Sequence, residues 1–239
     1  MRLLQGLVDR CFGRRGAADP ASRHALVGTP ELWELKRRFQ IEFLEREGLR
    51  PQHQLLDIGC GTLRGGIPLI AYLEKGHYTG VDVREEALAE GRKELRGAGL
   101  CEKEPRLLAV NDLGSLALAQ KFDVVWAFSV FFHMDDAILE SCMAFVARHL
   151  TDTGALYANV NLGSQPAGSW REFPCLWRES RAYRELGERH GLRVVDLGVL
   201  GELGHDSGRP AHDNQHMLRF ARAGARDARD SRERDHAAP

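Results

Sequence analysis

Residues 55–66 read LLDIGCGTLRGG, and this stretch decides the fold. An apolar strand is predicted to end near Asp57, Gly59 and Gly61 then form a tight turn, and a helix follows. Glycine suits such a turn because its backbone reaches positive φ and lets a ligand approach closely. Ligands bind outside the carboxyl ends of the strands in open α/β sheets, so the stretch predicts a cofactor loop.

Short apolar runs alternate with helical patterns after this loop begins. The predicted strands are 54–58, 78–82, 106–110, 122–128 and 155–160. The predicted helices between them are 65–74, 84–97 and 135–150. This alternation is typical of a parallel sheet that is covered by helices on both faces.

The flanking segments complete the predicted organisation. A helix at 178–190 leads to strands at 192–200 and 216–222, and because no helix separates these strands they should pair antiparallel at the sheet edge. One domain over 31–222 is predicted, with an N-terminal helix at 31–48 and a cofactor-binding core at 54–160. Residues 1–30 form an extension, and the charged residues 223–239 are expected to be disordered.

Composition excludes several classes of protein. The chain has 239 residues, and its 33 Lys and Arg against 34 Asp and Glu give a charge of −1, so no nucleic-acid or anionic-membrane partner is expected. Five cysteines without a CxxC pair argue against a disulfide framework or a cysteine–zinc site, and they favour a reducing, cytoplasmic compartment. No apolar run of about 18 residues is present, so no membrane-spanning helix is predicted.

The loop also discriminates between cofactors. A dinucleotide fingerprint needs Gly or Ala at position 64, where this chain has Arg64, and the phosphate loop GxxxxGK[ST] is absent. The acidic Asp57 before the glycines suits a ligand that carries an ammonium group. S-adenosylmethionine (SAM) carries both an ammonium and a sulfonium, which makes it the favoured cofactor.

Five segments together resemble the class I SAM-dependent methyltransferases. LLDIGCGT resembles their motif I, and YTGVDV (78–83) resembles motif II. VNDL (110–113), FDVVWAFSVFFHM (122–134) and DTGALYANV (152–160) resemble the later motifs, in the family's order. Leu63 stands where the commonest form has a third glycine. The resemblance implies a three-layer α/β sandwich with a mostly parallel seven-stranded sheet and an antiparallel C-terminal hairpin.

The resemblance also implies residue roles at the methionine end of SAM. Gly59 and Gly61 would line this part of the cofactor, and Asp57 would help to hold its amine. Phe128 and Ser129 would border the same side where the fourth strand ends.

At the nucleoside end, the resemblance assigns four residues. Asp82 would accept hydrogen bonds from both ribose hydroxyls, because a carboxylate has two oxygens. Asp112 would contact the adenine amino group, while Val83 and Leu113 would pack against the faces of adenine.

His133 is the candidate catalytic residue, because it follows the fourth strand at the ligand-binding edge and could act as a base toward a hydroxyl acceptor. The alternative is a histidine that packs under its loop. Asp135 and Asp136 are expected to cap the next helix rather than bind metal. No metal site is predicted.

Three other segments leave alternatives open. Residues 205–216 contain His205, His212 and His216, which could form a substrate-side loop or a metal cluster. The aromatic residues of 163–178 could form a lid over an acceptor or pack the next helix: Trp170, Phe173 and Trp177. Trp33 and Phe39 of the first helix could close the cofactor pocket or belong to the core.

The expected function is SAM-dependent methylation of a small-molecule acceptor, at oxygen rather than at nitrogen or carbon. Two alternatives remain at this point. One is a nicotinamide-dependent oxidoreductase, which Arg64 disfavours, and the other is a non-catalytic SAM-binding or scaffold protein with the same fold.

Overall fold

The computed structural model describes residues 26–224. Most of the predicted extension and nearly all of the predicted tail lie outside these residues. The strands are β1 (Leu55–Ile58), β2 (Tyr78–Asp82), β3 (Arg106–Ala109), β4 (Phe122–Ala127), β5 (Leu150–Val160), β6 (Gly168–Trp170), β7 (Phe173–Cys175), β8 (Leu192–Val199) and β9 (His216–Arg222). The helices are α1 (Trp33–Arg46), α2 (Gly66–Tyr72), α3 (Glu85–Gly97), α4 (Asp136–His149), α5 (Ser180–Arg189) and the short α6 (Pro210–Asp213).

Seven strands form one sheet in the order β3-β2-β1-β4-β5-β9-β8. The strands from β3 to β5 are parallel, and β9 runs antiparallel to both β5 and β8. The strand order therefore reverses between β1 and β4, which opens a crevice at their carboxyl ends. This topology confirms the predicted sheet with its antiparallel C-terminal hairpin. Strands β6 and β7 form a separate antiparallel hairpin, the β6–β7 hairpin.

Two apolar cores cover the two faces of the sheet and create three layers. On one face, β1 and β4 pack against α1, α2 and α3 through residues such as Phe39, Phe43 and Trp126. On the other face, the sheet packs against α4 and α5 through residues such as Phe145 and Tyr183. Because every central strand is covered on both sides, the strands read as continuous apolar runs. The predicted three-layer sandwich is confirmed.

The clearest error in the predicted boundaries concerns β5. The prediction begins this strand at residue 155, but the observed strand begins at Leu150, directly after α4. Phe122 of β4 pairs with Leu150 while Val124 pairs with Ala155, so the strand bulges between these two pairs. The bulge contains the polar residues 151–154, which resemble a turn in the sequence although they belong to an irregular strand.

Leu63 adopts a left-handed backbone conformation at the position where the related family commonly has glycine. Its φ is 62°, and its side chain is fully buried in the core beside α2. Left-handed geometry costs a non-glycine residue about 1–2 kcal/mol. The leucine therefore combines a strained backbone with an apolar contact that a glycine would lack.

Replacing Leu63 by Ala should destabilise the protein by about 2–5 kcal/mol, because a buried leucine side chain is lost while the backbone strain remains. Replacing Leu63 by Gly should cost about 1 kcal/mol less than Ala, because glycine relieves the strain. Urea unfolding of both variants and the wild type measures the difference. An alanine variant more stable than the glycine variant would contradict the strained geometry.

Candidate functional site

Two connected cavities lie at the carboxyl ends of β1, β2 and β4. The large cavity has a volume of about 340 Å³ and the small cavity about 180 Å³. Five residues line both of them: Gly59, Arg84, Ser129, His133 and Trp170. The cavities therefore meet where β1 and β4 separate, at the edge of the sheet that the glycine turn occupies.

The turn after β1 requires its two predicted glycines. Gly59 and Gly61 have φ values of 71° and 55°, and a Cβ at either position would collide with a valine side chain, Val130 or Val27. The Gly61 N–H donates to Oδ2 of Asp82 at 2.9 Å. The turn is thus tied to the end of β2, and both glycines line the large cavity.

Asp57 lies on the wall of the large cavity with only 4% of its surface exposed. The Tyr78 hydroxyl donates to its Oδ2 at 2.6 Å. Burial raises the pKa of Asp57 to about 7, against the hydrogen bond from Tyr78, and the nearby Asp82 adds to the rise. A carboxyl in this state becomes a strong partner for a cation, because binding would favour its charged form.

Two arginines hold the N-terminal segment across the cavities. The Arg64 Nη1 donates to the Val27 carbonyl at 2.9 Å, and the Arg84 Nη1 donates to the Leu26 carbonyl at 2.9 Å. Burial lowers the pKa of Arg64 to about 10, and its Nε has no hydrogen-bond partner among residues 26–224. The sequence pointed to Arg64 only as a departure from the dinucleotide fingerprint, and its place in the cavity wall was missed.

The small cavity is mostly apolar, with Asp82 at its inner edge. Its aliphatic and thioether side chains are Ile58, Val81, Val83, Val110, Leu113, Val130, Met134 and Ile138. Val83 and Leu113 therefore line this cavity, and their contact with adenine stays a prediction. Asp112 lines neither cavity, and its Oδ1 accepts hydrogen bonds from the Gly114 N–H at 2.8 Å and the Ser141 hydroxyl at 3.3 Å. The adenine contact of Asp112 stays a prediction.

The chain leaves β4 through Phe128 and Ser129, both in the wall of the large cavity. The Phe128 ring stacks on Trp126, with centroids 5.5 Å apart. Ser129 has a φ of 62°, and its N–H donates to Oδ1 of Asn159 on β5 at 2.6 Å. This hydrogen bond holds Ser129 in its left-handed conformation.

Asn159 begins an amide relay that the sequence analysis missed. Its Nδ2 donates to Oε1 of Gln215 at 2.7 Å, and the Gln215 Nε2 donates to Oδ1 of Asn161 at 3.0 Å. The Asn161 Nδ2 donates to the Leu176 carbonyl at 3.3 Å, just beyond β7. The relay therefore joins the end of β4 to the segment after the β6–β7 hairpin, and two of its members, Asn161 and Gln215, line the large cavity.

His133 lies between the two cavities, beneath the β6–β7 hairpin. Its Nδ1 is 2.6 Å from the Pro174 carbonyl. Because a carbonyl only accepts, Nδ1 carries the proton, and the neutral ring keeps a lone pair on Nε2. Burial lowers the pKa of His133, Arg84 adds to this effect, and the Pro174 hydrogen bond opposes it.

The aromatic segment after β5 is part of the cavity wall. Trp170 lines both cavities and Trp177 lines the large one, so a lid over an acceptor stays a prediction at this position. The Trp170 and Phe173 rings lie 5.9 and 5.6 Å from the Arg84 guanidinium. Such cation–π contacts hold the hairpin over the end of β2.

The three histidines of 205–216 point to different partners. His205 is fully buried and its Nδ1 lies 2.9 Å from Asp213, whereas His216 begins β9 and lies 2.8 Å from Asp196. His212 lines the large cavity, as a substrate-side loop requires. Within residues 26–224, no group of three or more His, Cys, Asp or Glu is arranged to hold a metal ion.

The helix after His133 begins as expected. Asp135 is its N-cap and accepts a hydrogen bond from the Ile138 N–H at 2.8 Å. Asp136 pairs with Arg178 at 2.7 Å.

Across the part of the chain that the structure describes, no helix has the length and apolar character needed to cross a membrane.

Comparison with known sequences identifies the domain. Residues 56–156 match the family described as a methyltransferase domain. Sphingolipid C9-methyltransferase B of Emericella nidulans is 29% identical over 153 residues, which are 62% of this chain and 29% of that protein. Sphingolipid C9-methyltransferase A of the same organism is 26% identical over 137 residues, 56% of this chain and 25% of that protein. The matched region thus spans less than a third of these relatives.

Solved structures share the fold. The magnesium protoporphyrin IX methyltransferase of Synechocystis PCC 6803 with bound SAM has a TM-score of 0.58 at 16% identity, over 93% of this chain and 92% of that chain. The glycopeptide N-methyltransferase MtfA complexed with SAM has a TM-score of 0.61 at 17% identity, over 78% of this chain and 94% of that chain. The fold is that of the class I SAM-dependent methyltransferases. Together with the methyltransferase domain matched at residues 56–156, this fold supports a SAM-dependent methyltransferase domain in the chain.

The raised pKa of Asp57 gives a testable pH dependence of stability. Between pH 4 and 7 the native carboxyl keeps a proton that the unfolded chain has lost, so its contribution to stability falls as pH rises. Relative to the isosteric Asp57→Asn variant, the wild type should lose about 1 kcal/mol of unfolding free energy per pH unit across this range. Urea unfolding of both proteins at several pH values tests this, and parallel pH profiles would show that Asp57 is charged throughout.

Proposed function

We propose that this chain transfers the methyl group of SAM to a small-molecule acceptor, at an acceptor oxygen. The observation that carries this proposal is the pair of connected cavities, one mostly apolar and one that also carries charged and amide side chains, which meet at the glycine turn between β1 and β4. An apolar cavity beside the Asp82 carboxylate suits a nucleoside, and the large cavity with its charged side chains suits an amino acid and an acceptor.

The residues present fit the two ends of SAM. The two oxygens of Asp82 accept hydrogen bonds from the backbone N–H groups of Gly61 and Arg84. Each oxygen keeps a lone pair for a ribose hydroxyl. Val83 and Leu113 would pack against adenine, and Asp112 would reach the adenine amino group from its turn.

At the methionine end, two buried ionisable side chains have atoms free to form further hydrogen bonds or ion pairs with a ligand. Asp57 would hold the ammonium group, and the unpartnered Nε of Arg64 would face the carboxylate. Gly59, Gly61, Phe128 and Ser129 would form the surrounding wall. When bound, SAM supplies a methyl group on a positively charged sulfur, ready for displacement by a nucleophile.

The chain contributes orientation, exclusion of water and a base. His133 keeps its Nε2 lone pair because Nδ1 is committed to Pro174, so Nε2 would take the proton of an acceptor hydroxyl. Phe132, Trp170 and Trp177 line the same cavity and would exclude water from it. The lowered pKa of His133 keeps the ring neutral at pH 7.

The fold alone does not specify the acceptor of this chain. The relatives are named for a sphingolipid, a magnesium porphyrin and a glycopeptide, so acceptors vary widely among proteins that resemble this one. A cavity of about 340 Å³ lies at the lower end of the range for small-molecule sites. Since cofactor and acceptor must share the two cavities, we propose a small acceptor.

Cofactor choice can be tested with S-adenosylhomocysteine (SAH), the demethylated form of SAM. Titration calorimetry should show that the wild type binds SAH but not NAD⁺. Asp82→Ala should weaken SAH binding by about 10- to 100-fold, because two charge-assisted hydrogen bonds are lost. Asp152→Ala removes an exposed carboxyl far from the cavities and should leave the affinity unchanged. Equal SAH affinity in wild type and Asp82→Ala would remove Asp82 from the site.

Catalysis can be tested with SAM and a fractionated metabolite extract, by searching for products heavier by one CH₂ group. With the acceptor so found, His133→Ala should lower kcat by about 10²–10⁴-fold. The wild-type rate should fall on acidification at some pH below 6.5, since the pKa of His133 is lowered from that value, and the variant should lack this decrease. SAH affinity should stay within about twofold of the wild type. A variant that keeps more than about a tenth of the activity would make His133 structural.

A further inference from the structure

Lys36 of α1 is buried in the wall of the large cavity. Only 5% of its surface is exposed, and its ammonium has no hydrogen bond or ion pair with any residue of 26–224. A buried charge without a partner is costly, and proteins normally pair it or leave it in water. One helical turn later, Gln40 lines the same cavity, but its amide is already bonded to Trp126 and to the Lys36 carbonyl.

The nearest carboxylate cannot neutralise Lys36 because other groups occupy it. Asp213 accepts hydrogen bonds from the Ser207 hydroxyl, from the backbone N–H groups of Ser207 and Arg209, and from His205. These contacts fold the loop before β9 around Asp213. The carboxylate therefore stabilises its own loop. It acts on Lys36 only through its electrostatic field, which raises the pKa of the lysine.

The other charged neighbours of Lys36 are cations. Arg64 and Arg209 both act against its charge, and together with burial they lower the pKa of Lys36 to about 7 despite the opposing field of Asp213. His212, on the same cavity wall, has a pKa lowered to about 4 by burial and by Lys36, so it is neutral at pH 7. An anion at this position would meet an ammonium and an imidazole N–H, while Asp57 on the same cavity wall would be paired with the cofactor ammonium.

The cofactor does not account for this anion. SAM has one carboxylate, which Arg64 beside the glycine turn would hold, and its ammonium and sulfonium add positive charge to the cavity. Lys36 interacts electrostatically with the loop before β9. This loop supplies His212 and Gln215 to the cavity wall. With the cofactor present, the cavity would hold an excess of positive charge, which an anionic acceptor would offset while keeping Lys36 protonated.

Resting on the proposed function, we propose that Lys36 and His212 bind an anionic group of the acceptor, so that the substrate is a small organic acid. Its anion is a carboxylate or a phosphate ester. Its apolar part lies against the aromatic wall formed by Phe132, Trp170 and Trp177, close to the Nε2 edge of His133.

The test uses the complex of the full chain with SAH, and three probes of similar shape: benzoate, phenyl phosphate and the neutral benzamide. Titration calorimetry should show at least one of the two anions binding about 10-fold or more tightly than benzamide. Lys36→Met should abolish this preference, and Lys36→Arg should retain most of it. Lys121→Met, which removes an exposed lysine, should behave as the wild type. The better of the two anions distinguishes a carboxylate from a phosphate acceptor.

The experiment gives different results when the proposed function fails and when the anionic subsite fails. A wild type that does not bind SAH contradicts the proposed cofactor. SAH binding without a preference for either anion overturns the anionic subsite. If Lys36→Met weakens SAH binding as strongly as Arg64→Met does, Lys36 serves the cofactor carboxylate and the proposal is also overturned.

A second measurement needs no variant. An anion beside Lys36 would restore its proton, so binding of benzoate or phenyl phosphate at pH 8 should take up nearly one proton per site. The heat of binding measured in Tris and in HEPES reveals this uptake. Anion binding without proton uptake would place the anion elsewhere.

Discussion

The hydrogen bonds of Asp82 hold the site together. Its Oδ2 accepts the Gly61 N–H and its Oδ1 accepts the Arg84 N–H, each at 2.9 Å. The two glycines of the turn have no side chains with which to anchor it, so backbone hydrogen bonds to Val81 and the Asp82 carboxylate on the neighbouring strand hold it in place. Arg84 then extends the linkage, because its guanidinium reaches the Leu26 carbonyl and lies against the rings of Trp170 and Phe173. The turn, the N-terminal segment and the β6–β7 hairpin therefore depend on one carboxylate.

The charges in the cavities are arranged for ligands rather than for stability. Asp57, Arg64 and Lys36 are each less than 8% exposed, and the pKa of each is displaced toward the neutral form by burial. Apolar side chains of similar size would give a more stable protein. Such groups gain most from a partner of opposite charge, because the partner restores the charged form that burial disfavours. A zwitterionic cofactor and the proposed acidic acceptor would supply the missing partners.

Local signals in the sequence predicted the central fold and the glycine turn. Strand β2 matches its predicted range, and Gly59 and Gly61 have the positive φ that motivated their assignment. The polar part of the site was much less predictable. In α1, the apolar spacing marks Phe39 and Phe43, and a lysine on such a helix normally faces water. Lys36 is buried near the loop before β9, whose Arg209 and Asp213 act on its charge although they lie far along the chain.

The amide relay was missed for the same reason. Asn159, Gln215 and Asn161 have no distinctive spacing, and their partnership arises from the antiparallel pairing of β5 with β9. Antiparallel partners far apart in sequence leave no periodic signal in either strand. Tertiary structure thus decides which polar residues reach the cavity, whereas local pattern decides where the cavity forms.

The β6–β7 hairpin links closure of the site to its chemistry. The Pro174 carbonyl on the hairpin selects the His133 tautomer whose Nε2 is free, and the Leu176 N–H just after it donates to the Phe132 carbonyl at 2.8 Å. The same hairpin brings Trp170 to the wall of both cavities. Opening of the hairpin would break the hydrogen bond from His133 Nδ1 to the Pro174 carbonyl and would at the same time admit water. If His133 is the base as proposed, it would be correctly oriented only when the cavity is covered, and proton transfer would be coupled to closure.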